Sequence, residues 1–271
     1  MRTSSNPAFR NLPMGGAGGY AGFNKSKGGY PGYDMQAPPA APERPMTVDD
    51  VVMKTGASLG VTLLTGIVTA IWAQGQIAAG TSGLVFGAMI GGMLVGLVLA
   101  LVIIFKKMAS GPMTLAYSAA EGVFLGAITG VFTVMFGNAI ALQAIIGTAG
   151  VFVTMLVVYK TGAVKVTPKL TKWIIGALMG AVILMLANLV LGFFIDGGLG
   201  LRDGGPIAII FSLVVIGIAA FSFLLDFDMA DRMIRDAVPA KFAWFVAFGL
   251  MVTLVWLYLE ILRLLSYFQG E

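Results

Sequence analysis

The 271-residue chain is 58% hydrophobic and 11% charged, carries a formal net charge of +4, and contains neither cysteine nor histidine. Soluble domains hold about a quarter of their residues as Asp, Glu, Lys and Arg, so a chain with under half that share reads as an integral membrane protein. Without cysteine or histidine there are no disulfides, thiolate nucleophiles, imidazole metal sites or Ser-His chemistry, and no enzymatic activity is expected.

Residues 1 to about 50 differ in composition from everything after them. Runs such as Gly15-Gly16-Ala17-Gly18-Gly19-Tyr20 and Gly28-Gly29-Tyr30-Pro31-Gly32-Tyr33, followed by Ala37-Pro38-Pro39-Ala40-Ala41-Pro42, cannot bury enough apolar surface to offset the entropy of ordering. They read as a disordered tail, with a membrane domain over 51–271. No apolar signal-peptide core occurs before residue 56. Thr47, followed three residues later by Asp50 and then by an apolar run, has the form of a capped helix start.

Seven apolar stretches follow, at about 56–73, 83–105, 113–136, 139–159, 173–195, 206–225 and 242–268. Each approaches or exceeds the ~20 residues a helix needs to cross ~30 Å of hydrocarbon. The fold class is therefore all-α, a polytopic bundle of seven transmembrane helices. With the amino terminus placed in the cytoplasm, fifteen of the seventeen lysines and arginines fall on the cytoplasmic side, and only Arg202 and Arg263 lie towards the other. This positive-inside bias accounts for the basic balance without nucleic acid.

Ionisable residues inside a membrane are costly and are the first place to look for function. In the third stretch Thr114, Tyr117 and Glu121 share one helix face, with Glu121 ~13 Å beyond Pro112. In the sixth, Ser212, Val215, Ala219, Ser222 and Asp226 align, and Asp226 sits at the cytoplasmic mouth. Asp228 and Asp231 precede Arg232 and Arg235 by four residues, the spacing of ion pairs on a solvated helix, although Asp228 stays a candidate. In the seventh, Gly249, Thr253, Trp256 and Glu260 align. Glu260 either faces the bundle or pairs with Arg263 one turn on. Glycines at four-residue spacing (Gly87/Gly91, Gly92/Gly96, Gly122/Gly126/Gly130, Gly176/Gly180) read as helix-packing positions.

Leu225-Asp226-Phe227-Asp228 and Trp256-Leu257-Tyr258-Leu259-Glu260-Ile261-Leu262 resemble the Bax inhibitor-1/YccA family. The likeness is closest to its bacterial branch, whose members share openings like Ser5-Asn6-Pro7-Ala8-Phe9-Arg10 and Arg44-Pro45-Met46-Thr47-Val48-Asp49-Asp50-Val51-Val52. The resemblance covers essentially the whole chain. It implies a seven-helix fold with the last helix wrapped by the others, in a bacterial inner (plasma) membrane. It also implies a pH-sensitive calcium leak, in which an acid late in the sixth helix and an acid in the last share a proton or hydrogen bond. Asp226, or Asp228 in its place, matches the first acid and Glu260 the second.

Two features depart from that pattern. The second acid is a glutamate, and the interval from Asp226 to Glu260 is long. With a turn near Val238-Pro239, straight antiparallel helices leave the two ~14 Å apart in level. Either the connection shifts the register, or the latch involves other residues, Glu121 being a third candidate. A Ca²⁺ ion held by Asp226 and Glu260 would be a permeant ion, and no cofactor is expected. Without histidine, any response between pH 5 and 8 must come from carboxylates.

The alternative reading is a non-conducting regulator that binds another membrane protein, such as a membrane-anchored AAA+ protease, through the tail. An intramembrane aspartyl protease would need a Gly-x-Gly-Asp signature, whereas Gly198-Leu199-Gly200-Leu201 runs on to Arg202-Asp203. A proton-coupled transporter would need inverted repeats, and the chain shows no convincing internal repeat.

Overall fold

The computed structural model describes residues 44–107, 110–195 and 197–269. The glycine-, proline- and tyrosine-rich stretch up to residue 43 lies outside the described residues. Seven helices long and apolar enough to cross a membrane are found among the described residues: α1 (Val48–Ala78), α2 (Ser82–Lys106), α3 (Gly111–Phe136), α4 (Ala139–Thr161), α5 (Pro168–Leu191), α6 (Pro206–Arg235) and α7 (Ala243–Gln269). The connections are short except for the loop between α5 and α6. Successive helices therefore run antiparallel. One side of the bundle carries the start of α1 and the α2–α3, α4–α5 and α6–α7 connections, and is called here the near side.

Local chemistry fixes the helix ends. Thr47 and Asp50 form a reciprocal capping box, each side chain meeting the other's backbone N–H. Proline stands in the first turn of α3, α5 and α6, where its missing N–H has no helical partner to lose. The very tight link between α3 and α4 turns on Gly137, whose φ of +93° is open to glycine at little cost. Helix α5 starts before its expected stretch of 173–195 and ends short of it, at Leu191, and two further helices run well past theirs. Helix α1 is extended at the start by its cap and beyond residue 73 by polar residues that stay helical. Helix α6 continues to Arg235 through the ion pairs Asp228–Arg232 (2.7 Å) and Asp231–Arg235 (2.8 Å).

Packing of the chain begins before residue 50, the limit expected for the tail. Arg44 holds Asp50 through both guanidinium nitrogens at 2.7 and 2.6 Å. The Met46 N–H donates to the Val238 carbonyl (2.8 Å), the Ala240 N–H donates to that of Arg44 (2.9 Å), and Met46 is fully enclosed. This short antiparallel bridge lays the entry to α1 across the turn that leads into α7. The Lys54 ammonium reinforces it by donating to the Ala240 carbonyl and lying 5.6 Å from the centre of the Trp244 ring.

Helix α7 is the axis of the bundle. Of its most apolar stretch 72% is buried, against 11–39% in the other six spans, and α1, α3, α4 and α6 pack around it. The core follows from this placement. Phe223 and Phe227 of α6 meet Phe152 of α4 edge to face, and Tyr117 of α3 meets Phe248 of α7 in the same way at 4.9 Å. Helix α5 packs on α6 and stays largely exposed.

The glycine repeats divide into two kinds. A Cβ on Gly126 would lie 2.3 Å from the Gly66 carbonyl oxygen, one on Gly122 2.6 Å from that of Thr62, and one on Gly130 2.7 Å from Ala73. This face of α3 therefore lies backbone to backbone against α1. Gly92 and Gly96 of α2 are similarly tight against α3, whereas Gly87, Gly91, Gly176 and Gly180 face open space. Gly126→Ala is expected to destabilise the bundle by about 1–3 kcal/mol through overpacking. Gly180→Ala is expected to leave it unchanged or slightly more stable, as thermal unfolding of the purified variants would show.

Candidate functional site: carboxylates at the helix seams

The α6–α7 turn sets which residues face each other near the near side. It consists of Asp236 to Pro239, with Ala237 in the left-handed region (φ +52°), followed by a 3₁₀ turn over Ala240–Phe242. This non-helical connection gives a register in which Asp226 meets Thr253. The threonine hydroxyl donates to Asp226 Oδ2 at 2.7 Å, while its distance to the Gly249 carbonyl of its own helix is 3.4 Å. The hydroxyl is therefore turned outward to a neighbouring helix. Thr253 is buried and Asp226 half-buried.

Glu260 stands elsewhere. It lies seven residues past Thr253, ~10 Å farther along the helix, and does not meet Asp226. The shared latch and the two-carboxylate Ca²⁺ site expected of Asp226 and Glu260 are thus not formed. Glu260 instead accepts from Arg202, in the loop between α5 and α6, at 2.9 and 3.3 Å, and from Arg263 at 3.1 Å. Its side chain is 3% exposed, and the two arginines are 24% and 30% exposed. The carboxylate is desolvated, and both guanidiniums reach it from the rim. Arg202 also lies over the Phe211 ring at 5.7 Å. The two cations expected on the far side of the membrane therefore converge on one acid.

Glu121 occupies the α2–α3 seam. It is buried, with Tyr117 one turn earlier in hydrogen-bonding reach. Its carboxylate packs on Gly96, where an added Cβ would lie 2.7 Å from Oε1. It faces α2, away from Asp226. The expected stripe is nonetheless real, since Thr114, Tyr117 and Glu121 are all buried, and Thr114 donates to the Trp244 carbonyl of α7 at 3.4 Å. Asp228 forms the local pair with Arg232.

The four candidates thus separate into two electrostatic classes. Asp228 and Glu260 are neutralised by arginines, whereas no ion pair is found for Asp226 or Glu121 among the described residues. Sequence reasoning placed Thr253 on the polar face of α7 without naming it a partner. The signal was available, because Asp226 precedes Pro239 by thirteen residues and Thr253 follows it by fourteen. Arg202 was legible only as a cation on the far side.

A seven-span helical bundle with an enclosed terminal helix, and acids at the seams where neighbours meet it, defines a polytopic membrane protein with no soluble domain among its described residues. The family model described as Bax inhibitor 1 like matches residues 6–270, and the chain belongs to that family. No curated protein matched the chain.

Glu260→Gln is expected to destabilise the fold by about 3 kcal/mol, because it strands two partly desolvated guanidiniums. Asp226→Asn keeps an acceptor for Thr253 and is expected to cost under about 1 kcal/mol. Thermal unfolding of the two variants side by side would separate these roles.

Proposed function

We propose that the chain is a pH-sensitive cation leak, with Ca²⁺ as a permeant ion, in a bacterial inner membrane, its amino terminus in the cytoplasm. The α6–α7 contact at Asp226 is its gate. One observation carries this reading: a carboxylate for which no ion pair is found among the described residues lies in the seam between α6 and the central helix, where the Thr253 hydroxyl donates to it. Carboxylate oxygens are the natural ligands of Ca²⁺, and an unneutralised acid at helix depth is an expected mark of an ion route. Family membership and the strong positive-inside asymmetry support the same reading.

The gate differs from a pair of acids in one chemical respect. Two close carboxylates titrate together, the first ionisation raising the second. Asp226 with Thr253 has a single ionisable member, and the threonine donates to the ionised form as well as to the neutral one. Gating therefore involves one proton.

Purified protein in liposomes loaded with a calcium dye tests the reading. Flux above protein-free vesicles is expected, with a pH dependence no steeper than one proton. Asp226→Asn is expected to lower the flux several-fold and flatten that dependence. Thr253→Asp rebuilds a two-acid pair and is expected to move the midpoint up by about one pH unit or more. An absence of flux at every pH would overturn the channel reading in favour of a regulator that binds other membrane proteins.

A further inference from the structure

One cavity in the bundle lies away from these acids. It is a trough of about 370 Å³ between α1 and α4, floored by α3 and α7. Its walls run from Leu59 to Ile71 on α1 and from Ala141 to Phe152 on α4, ~18 and ~16 Å along the respective helix axes. It therefore lies parallel to the helices. Its floor includes Met251, Leu254 and Tyr258 of the central helix.

Nothing on the floor asks for a polar ligand. The Thr129 hydroxyl donates to the Leu125 carbonyl at 2.6 Å and accepts from the Tyr258 hydroxyl at 2.8 Å, and Thr148 donates to the Ala144 carbonyl at 2.8 Å. Thr62, on the α1 wall, donates to the Ser118 carbonyl at 3.0 Å, so each hydroxyl is satisfied within the protein, and the rest of the lining is apolar. The rim is open: Leu63, Ile67, Ile71 and Ile145 are exposed on membrane-spanning helices, so the trough is continuous with the surface that faces hydrocarbon. Water in such a site would lack partners, and a second transmembrane helix, ~10 Å across, is too wide to enter a cavity on the scale of a small-ligand pocket.

From this shape and lining we infer that the trough is a binding site for one acyl chain of a bilayer lipid, lying along the bundle and touching α7. The lower numbers of α4 and the higher numbers of α1 mark the end towards the far side, so the chain belongs to a lipid of that leaflet. The inference is independent of the proposed leak.

Photo-crosslinking tests it. Full-length protein is reconstituted in vesicles of phosphatidylcholine bearing a diazirine in one acyl chain, irradiated, and mapped by mass spectrometry. Adducts are expected on the floor at Met251 and Leu254, at yields comparable to the exposed face of α5 at Ile183 and Leu184. Ala149→Trp and, from the opposite wall, Leu63→Trp fill the trough and are expected to reduce the floor adducts at least several-fold while leaving those on α5 unchanged. Two results would overturn the inference. One is a floor left unlabelled while α5 labels. The other is efficient disulfide cross-linking of Ile145→Cys between copies, which the cysteine-free background makes unambiguous and which would mean that a second copy covers the trough.

Discussion

Hydrocarbon offers no solvent for a carboxylate, so each acid within a span is stable only where the protein supplies what water would have supplied. The architecture follows from that constraint. Helix α7 carries Glu260 and is too polar on that face to meet lipid, and it is the most enclosed helix of the seven. Its neighbours bring the missing partners: Arg202 from the α5–α6 loop to Glu260, and Asp226 from α6 to Thr253. The glycine face of α3 contributes indirectly. By letting α1 approach to backbone contact, it lets the surrounding helices close around a central one.

The near end of α7 is positioned by backbone as much as by side chains. Arg44 to Met46 pair with Val238 to Ala240, and Asp50 ties Arg44 to the cap of α1. The entry to the first helix and the turn before the last are thereby one unit. The level at which Asp226 meets α7 depends on this turn, since a slip of one residue in the connection would carry Thr253 ~100° around the helix and away from α6. A capping box and two backbone hydrogen bonds at the surface thus set the geometry of a contact inside the bundle.

What was legible in the sequence divides along the range of the interaction. The seven spans, the Thr47–Asp50 cap and the pairs Asp228–Arg232 and Asp231–Arg235 rest on hydrophobicity or on neighbours within one helical turn, and each was readable. So was the inward face of Thr114, Tyr117 and Glu121. The register of α6 against α7 was readable in level, from the near-equal distances of Asp226 and Thr253 to Pro239, but the left-handed Ala237 and the 3₁₀ turn that make the connection were not. Even so, the expected ~14 Å between Asp226 and Glu260 agrees in sense with the ~10 Å found along α7. The Arg202–Glu260 pair spans 58 positions and begins in a loop, and neither periodicity nor spacing reaches that far. The trough is a property of how four helices splay, and no local pattern encodes it.

Two contacts along α7 are held by bonds of unequal strength, and this ranks which yields first. Separating Glu260 from two arginines leaves a desolvated acid and two cations without partners, a loss on the order of 3–5 kcal/mol. Separating Thr253 from Asp226 breaks one hydrogen bond to a charged group, about 1.5–3 kcal/mol, at a half-buried carboxylate. Of the two contacts, the one at Asp226 therefore yields at the lower cost. The ranking is set by charge: a carboxylate that faces one hydroxyl is released at lower cost than one that faces two guanidiniums.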